Sequence, residues 1–460
     1  MASSPLHVVI LAAGQGTRMR SQLPKVLQPV AGKPMLGHVL DTARQLNAKA
    51  CHVVHGHGAG QVRAWFAQAH AGDKTVQWVL QAEQKGTAHA VLQALPGIPD
   101  TATVLILYGD VPLVRAATLE PLLAHKGVGV LTAVLPDAHG YGRIVRDADG
   151  AVASIVEEKD ASAEQRAIRE VNTGILVAPA KLLKRWVARI GNKNVKKEFY
   201  LTDVVAMAVR DGVQVHAHVA PEAVEVQGVN DPLQLAAAER ALQLRQAGQL
   251  LAMGLQLRDP ARFDLRGSLK FGADVVIDVG VVLEGEVVLD AGVYVGPYSV
   301  LRNVKIGAGT RIESHSVLDE ATVGKNCRVG PFARLRPDTV LEDEAHIGNF
   351  VEVKKSRIGK GSKANHLAYV GDATVGAQVN LGAGTITCNY DGANKHQTII
   401  EDDVFIGSDT QLVAPVKVGK GATIGAGSTI TKEVPPGVLA VCRAKEQKHY
   451  SNWKRPVKRG

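Results

Sequence analysis

Aromatic residues make up only 4% of this 460-residue chain although 46% of it is hydrophobic, so its core must be largely aliphatic. The shortage tells against a single-stranded nucleic-acid binder, which interleaves rings with its cations. The net charge of +9 is spread along the chain rather than striped, and suits polyanionic small substrates better than nucleic acid. Cysteine is scarce as well: Cys51, Cys327, Cys388 and Cys442 make no CxxC pair. They suggest neither a disulfide framework nor a zinc knuckle, and a reducing cytoplasm is the simplest setting. No apolar run approaches a membrane span. The first, Leu6 to Ala13, has no cationic flank and enters a glycine loop, so it reads as a buried strand and not as a signal peptide.

What the second half has in abundance is a period. From Phe271 to Ile430 an aliphatic or small apolar residue returns about every sixth position, cleanly in Val323, Val329, Leu335, Leu341, Ile347, Val353 and again in Ile406, Leu412, Val418, Ile424, Ile430. A helix needs returns at three and four and a half-buried strand at two, so neither accounts for a sustained six. Six residues per face of a three-sided prism do: the period predicts a parallel β-helix whose aliphatic residues point to the axis. About eight coils stacked about 4.8 Å apart would make a rod on the order of 40 Å long. Five-residue steps at Leu301 to Ile306, Leu318 to Val323 and Val353 to Ile358 read as shortened corners. The register fails between Leu381 and Ile400, where Thr387 to His396 must be extruded as a loop, and such loops are often functional.

The first half mixes βα-type patterns with glycine-rich turns. Strand-like Leu6 to Leu11 runs into Ala12-Ala13-Gly14-Gln15-Gly16-Thr17-Arg18-Met19, whose small side chains let backbone N–H groups approach a phosphate. It is neither a Walker A loop nor a GxGxxG. Arg18, and Lys25 after Pro24, add two cations able to neutralise a triphosphate and its departing pyrophosphate. Asn230-Asp231-Pro232 opens a stretch rich in Leu, Ala, Gln, Glu and Arg that reads as a capped helix.

The segment Leu11 to Met19 followed by Pro24-Lys25 resembles the signature of the sugar-nucleotide pyrophosphorylases. Further matches follow in the family's order: Gln81 to Thr87, Tyr108-Gly109-Asp110-Val111-Pro112, Tyr141 to Ile144, Glu157 to Asp160, Asn172-Thr173-Gly174 and Glu225 to Asn230. As a set they are similar to the uridylyltransferase domain of the bifunctional enzymes that make UDP-N-acetylglucosamine. The hexad repeat likewise resembles the left-handed β-helix of the hexapeptide acyltransferases, a hand that the period alone does not give.

The resemblance implies an α/β chain with a Rossmann-like pyrophosphorylase domain over 1–230, a helical linker over 231–254, a left-handed β-helix acetyltransferase domain over 255–443 and a basic tail over 444–460. It implies that Leu11, Ala12, Ala13, Gly14, Lys25, Tyr108, Gly109 and Asp110 meet the nucleotide, that Gln81, Gly86 and Thr87 hold uracil, and that Gly142, Glu157 and Asn172 hold the sugar. Asp110 ends an apolar strand, where a carboxylate can ligate Mg²⁺. A turn cap before Pro112 is the lesser alternative. Asn230 becomes the second metal ligand only through the resemblance, because Asn-Asp-Pro is also an ordinary helix cap. The implied reaction is in-line attack of a sugar 1-phosphate on UTP, with Arg18 and Lys25 taking up the charge on pyrophosphate.

In the β-helix the matched segments are Pro331 to Pro337, Gly348 to Lys355, His366 to Tyr369 and Gly382 to Thr385 running into Asn389 to Gly392. His366 is the candidate general base, since an amine must lose a proton as it attacks a thioester; a histidine on a solenoid is also commonly a plain surface residue. Asn389 is expected to orient that imidazole. Arg336, Lys354, Tyr369, Asn380, Tyr390 and Lys395 are expected near the sugar phosphate, and Ala383, Asn389, Tyr390, Ser408, Ala426 and Arg443 at acetyl-CoA. The resemblance also implies a homotrimer, with glucosamine 1-phosphate, acetyl-CoA and UTP as substrates and no nucleic-acid or membrane partner. One rival reading keeps the pyrophosphorylase and makes the β-helix structural or regulatory. Another is a zinc enzyme using His315, His346, His366 and His396, which lie in separated hexads without a recognisable ligand set.

Overall fold

The computed structural model describes residues 4–443; the basic tail at 444–460 lies outside the described residues. The chain divides into two compact units, Met1–Leu242 and Gln243–Gly460, and the division falls within one helix, Pro232–Ala252. Among the described residues no helix is long and apolar enough to cross a membrane.

In the first unit nine strands form one sheet: β1 (Leu6–Ala12), β2 (Ala50–His55), β3 (Val76–Leu80), β4 (Thr103–Tyr108), β5 (Val128–Val134), β6 (Arg143–Arg146), β7 (Val152–Val156), β8 (Glu170–Pro179) and β9 (Val215–Val219). The order is β9-β5-β8-β4-β1-β2-β3, with β6 joined to β8 and β7 to β6. β1 lies parallel to both β2 and β4, while β8 is antiparallel to β4 and β5. Val8, Val9 and Ile10 on β1 and Val104 through Leu107 on β4 are all fully buried. Helices cover both faces, so these strands are apolar without alternation. From β1 the chain runs to β2 and β3 on one side, then crosses to β4 on the other. That reversal opens a crevice at the carboxyl ends of β1 and β4, the usual place for a ligand in an open α/β sheet.

The second unit is a left-handed parallel β-helix built from hexapeptide repeats. Val329, Leu335, Ile347, Val353, Ile406, Leu412, Val418 and Ile424 are fully buried, so the six-residue period is the inward-facing ladder. Successive coils stack in parallel, Arg328 on His346, His346 on Lys363, Lys363 on Asn380. The close stacking explains the small residues: a Cβ at Gly348 would stand 2.0 Å from the Asn365 carbonyl oxygen of the next coil. Thr310, Ser316, Ser362 and Thr385, buried polar residues of the coils, include hydroxyls that bond carbonyls of neighbouring turns, as Thr310 does to Gly324 at 2.7 Å and Ser362 to Gly376 at 2.7 Å. After Asn380 the next residue in that column is Phe405. The extra residues form a small hairpin outside the prism, closed by a Tyr390–Lys395 bridge.

Candidate active sites

At the crevice of the first unit, the loop after β1 turns sharply at Gly16 (φ 63°), where a Cβ would stand 2.7 Å from the Lys25 Cβ. Glycine at this position therefore lets the loop pack against the stem of Lys25. A cavity of about 330 Å³ is lined by Leu11, Ala12, Ala13, Gly14, Lys25, Gln81, Gly86, Thr87, Tyr108 and Asp110, together with Val26, Gln84, Ala90 and Glu198. Gly109 adjoins it, its amide donating to the Leu11 carbonyl at 2.9 Å. Arg18 sits exposed on the short turn Thr17–Met19, outside that lining.

Lys25, with a side chain only 12% exposed, makes an ion pair with Asp110, and its Nζ donates to Asn230 Oδ1 at 3.0 Å. Asn230 reaches that point because its segment is tied down twice. The Val229 amide donates to the Asp110 carbonyl at 2.8 Å. Glu225, fully buried, accepts a 2.6 Å bond from the Thr118 hydroxyl and pairs with Arg115. A carboxylate and an amide oxygen converging on one cation form the hard-oxygen donor set that a divalent metal takes with phosphates and water.

Beyond that crevice, the Asn172 backbone amide donates to the Gly142 carbonyl at 2.8 Å, which brings those two together at the β6–β8 contact. Glu157 lies at the end of β7 and lines a neighbouring cavity with Asp160, Asn194, Tyr200, Thr202 and Asp203. Its carboxylate accepts from the Thr202 hydroxyl at 3.2 Å. Burial raises the Glu157 pKa above the ordinary glutamate value, and the Thr202 bond opposes part of that rise.

In the β-helix, His366 is exposed and its Nδ1 lies 2.9 Å from Asn349 Oδ1. Asn389 does not meet that ring. Its amide nitrogen bonds Asp372 and lies 3.4 Å from the Tyr369 hydroxyl. Within this chain the His366 ring is met by Asn349, the residue directly beneath it in the stacked coils. Asn349 lies in a segment singled out above, and adding one coil to its position would have found it.

His366 belongs to a column. The Leu367 amide donates to the Asn349 carbonyl at 3.1 Å, the Gly384 amide to Leu367 at 3.1 Å, the Asp409 amide to Ala383 at 2.7 Å and the Gly427 amide to Ser408 at 2.8 Å. Asn349, His366, Ala383, Ser408 and Ala426 thus follow one another up a single corner, and the Arg443 guanidinium lies over Gly425 at its top. A second cluster holds Arg336 paired with Glu352 at 2.8 Å, Lys354 at 3.8 Å from Asp372, and Tyr369 beside Asn389. Lys395 comes from the extruded hairpin, and the adjacent Lys354, through side-chain hydrogen bonding first and its charge second, lowers its pKa below the ordinary lysine value. Two ammonium groups held together in this way suit a phosphate. Tyr390 is exposed on the hairpin, and Asn380 stands apart from this cluster, stacked between Lys363 and Phe405. His315 stacks between Tyr298 and Phe332 in an aromatic ladder, and among the described residues no three His, Cys, Asp or Glu side chains gather as a metal set.

Residues 8–196 match the MobA-like NTP transferase domain, 265–358 the GMPPB C-terminal domain, and 397–432 the bacterial transferase hexapeptide with six repeats. Over 456 residues the chain is 60% identical to the bifunctional protein GlmU of Alkalilimnicola ehrlichii, covering 99% of this chain and 97% of that protein. The GlmU proteins of Nitrosospira multiformis and Stenotrophomonas maltophilia are 56% and 54% identical, covering 99% of this chain each and 99% and 100% of the relatives.

Proposed function

The chain belongs to the bifunctional GlmU family, and from that premise we propose how its residues divide the chemistry. It is a bifunctional transferase of UDP-N-acetylglucosamine synthesis. It moves acetyl from acetyl-CoA to glucosamine 1-phosphate and then uridylyl from UTP to the resulting N-acetylglucosamine 1-phosphate, releasing pyrophosphate. The observation that carries the assignment of residues is the presence, in one chain, of an oxygen-and-cation crevice, of a histidine column and of a separate two-lysine cluster.

In the first unit the small-residue loop and Lys25 receive the triphosphate, while Gln81, Gly86 and Thr87 hold uracil. Gly142, Glu157 and Asn172 hold the sugar so that its phosphate oxygen stands in line with the α-phosphorus. That oxygen is already anionic, so no general base is needed. Arg18 closes from its exposed turn onto the leaving pyrophosphate, sharing the developing charge with Lys25. Nucleotidyl transfer in this family goes with a divalent metal, which we take to be Mg²⁺ held by Asp110 and Asn230; when bound it neutralises phosphate charge.

In the second unit Arg336, Lys354 and Lys395 grip the sugar phosphate, with Tyr369, Tyr390 and Asn380 toward the sugar. His366, its Nδ1 fixed by Asn349, takes the proton from the amine at Nε2 as nitrogen attacks the thioester carbonyl. Ala383, Ser408, Ala426 and Arg443 seat acetyl-CoA along that corner, and Asn389 and Tyr390 meet it from the second cluster and hairpin of a neighbouring copy. Within one chain the column and the cluster are separate groups, which supports a trimer in which neighbouring copies complete each site. A cytoplasmic setting supplies both acyl-CoA and nucleoside triphosphate.

The test is product analysis of the wild type and His366→Ala with glucosamine 1-phosphate, acetyl-CoA, UTP and Mg²⁺, reading free thiol and pyrophosphate separately. The variant should lose thiol release by 10²-fold or more, about the worth of a general base. It should still make pyrophosphate from N-acetylglucosamine 1-phosphate. Undiminished thiol release would remove His366 from the role.

A further inference from the structure

We propose that Lys25 makes metal binding conditional on the nucleotide, by competing with the divalent cation for Asp110 and Asn230. The proposal rests on the reading above that those two residues hold the metal. The Lys25 ammonium donates to Asp110 Oδ2 and to Asn230 Oδ1, the latter at 3.0 Å. The three side chains meet where the Val229 amide bonds the Asp110 carbonyl at 2.8 Å, so Asp110 and Asn230 are set by backbone and cannot easily separate to serve two cations.

An ammonium and a divalent ion seated on the same two oxygens repel each other strongly in so poorly solvated a spot. One must leave, and only the lysine has somewhere to go. Its stem is held, because Lys25 opens the short turn Lys25–Leu27 and its Cβ is packed against Gly16. The ammonium is therefore limited to a pivot about a four-carbon chain, and Lys25 lines the same cavity as Ala13 and Gly14. A triphosphate on those loop amides offers the ammonium a denser negative charge than one shared carboxylate does. Once the phosphates draw Lys25 away, both oxygens are released to a cation that the phosphates also ligate.

Two consequences follow. Bare metal binds weakly, because it must displace the lysine unaided. Metal and nucleotide strengthen each other by one common factor, as linkage requires. Lys25 thereby acts before the chemical step, as the residue that selects a metal–nucleotide complex over either component alone, and then serves the pyrophosphate.

The experiment is titration of Mn²⁺ onto the full chain, following the electron paramagnetic resonance signal of the free ion, with and without α,β-methylene-UTP. Wild type, Lys25→Met, Lys25→Arg and each of these with Asp110→Asn are compared. Lys25→Met should bind Mn²⁺ alone about tenfold or more tightly than wild type, and gain correspondingly less when the analogue is added. Lys25→Arg, which keeps the charge, should stay weak. Met binding Mn²⁺ no more tightly than wild type overturns the proposal, as does Arg gaining as much as Met. The Asp110→Asn background separates the two layers of argument. If Mn²⁺ binding survives it undiminished, the metal-site reading is what fails; if binding is lost there but Lys25→Met shows no gain, only the competition fails. Lys25→Gln is the substitute if the near-ultraviolet signal of buried Trp186 shows that Met has disturbed the sheet.

Discussion

Glu157 shows how much chemistry a single half-buried group carries. Burial is the largest influence on it and lifts its pKa above the ordinary value. A carboxylate whose folded pKa is raised binds more protons folded than unfolded between those two values. Its effect on stability is therefore favourable at low pH and is lost as pH rises from the ordinary value through the folded one. Ionised, it is also the form that can accept bonds from a sugar's hydroxyls. Glu157→Gln is thus expected to weaken substrate binding while strengthening the fold. At pH 7 the KM for N-acetylglucosamine 1-phosphate should rise about tenfold, the order of one charge-assisted hydrogen bond, while the unfolding midpoint rises by a degree or more. The acid limb of kcat/KM for that substrate should flatten in the variant, and pyrophosphate release measured from pH 4.5 to 8 checks it. The Glu157-Glu158-Lys159-Asp160 segment is visible as acidic residues in the sequence, but Glu157's burial beside Thr202 is a product of tertiary packing. The same distinction applies to Asn349: its segment was legible, and its partnership with His366 depended on which coil lies beneath which.

At the scale of elements, the β-helix was the most legible part of the chain, because every hexad repeats one physical demand, an aliphatic residue at the axis. A period of six has no other common explanation, and Val329, Ile347, Ile406 and Ile424 sit fully buried where it puts them. The hairpin after Thr387 was legible only as a break in register. What the break could not give is that the hairpin is held by Asp391, whose carboxylate accepts from the Ala393 and Asn394 amides at 2.8 and 2.6 Å and from His396 Nε2 at 2.6 Å. Those donors hold its pKa well below the usual carboxylate range. Asp391→Ala should loosen the element that delivers Tyr390 and Lys395 without touching the prism. The expected outcome is about a tenfold rise in the KM for glucosamine 1-phosphate in thiol release, with pyrophosphate release unchanged and the midpoint of β-helix melting shifted by no more than a few degrees. Steady-state kinetics of both half-reactions on one preparation decide it, and an unchanged KM would detach the hairpin from sugar binding.

Across the whole molecule the two units differ in how they should meet acid, and the difference was not readable from composition. His7 on β1 and His52 on β2 face each other because those strands pair in parallel, and their Nδ1 and Nε2 atoms are 3.0 Å apart in the core. Burial chiefly, and then the neighbouring His7, pushes His52 down to about 4. His7 is lowered too, by burial first and then by Lys49. One proton suffices for their shared bond; a second would set two imidazolium charges against each other away from water. The folded chain therefore binds fewer protons than the unfolded one between the ordinary histidine value of 6.5 and about 4. Stability is full above that window and is lost as pH falls through it. The β-helix has no fully buried histidine among its described residues, half-buried His346 being the one there that burial lowers; buried serine and threonine side chains, which do not titrate there, are prominent among its interior polar groups. Holding the enzyme at pH 5 and returning it to neutrality for assay should accordingly cost pyrophosphate release before thiol release. His52→Gln, which cannot take up the proton, should shift the acid loss of pyrophosphate release to lower pH and leave the thiol curve in place. Coincident loss of both activities in wild type, with no shift in the variant, would mean that the two units unfold as one and that the histidine pair does not set the acid limit.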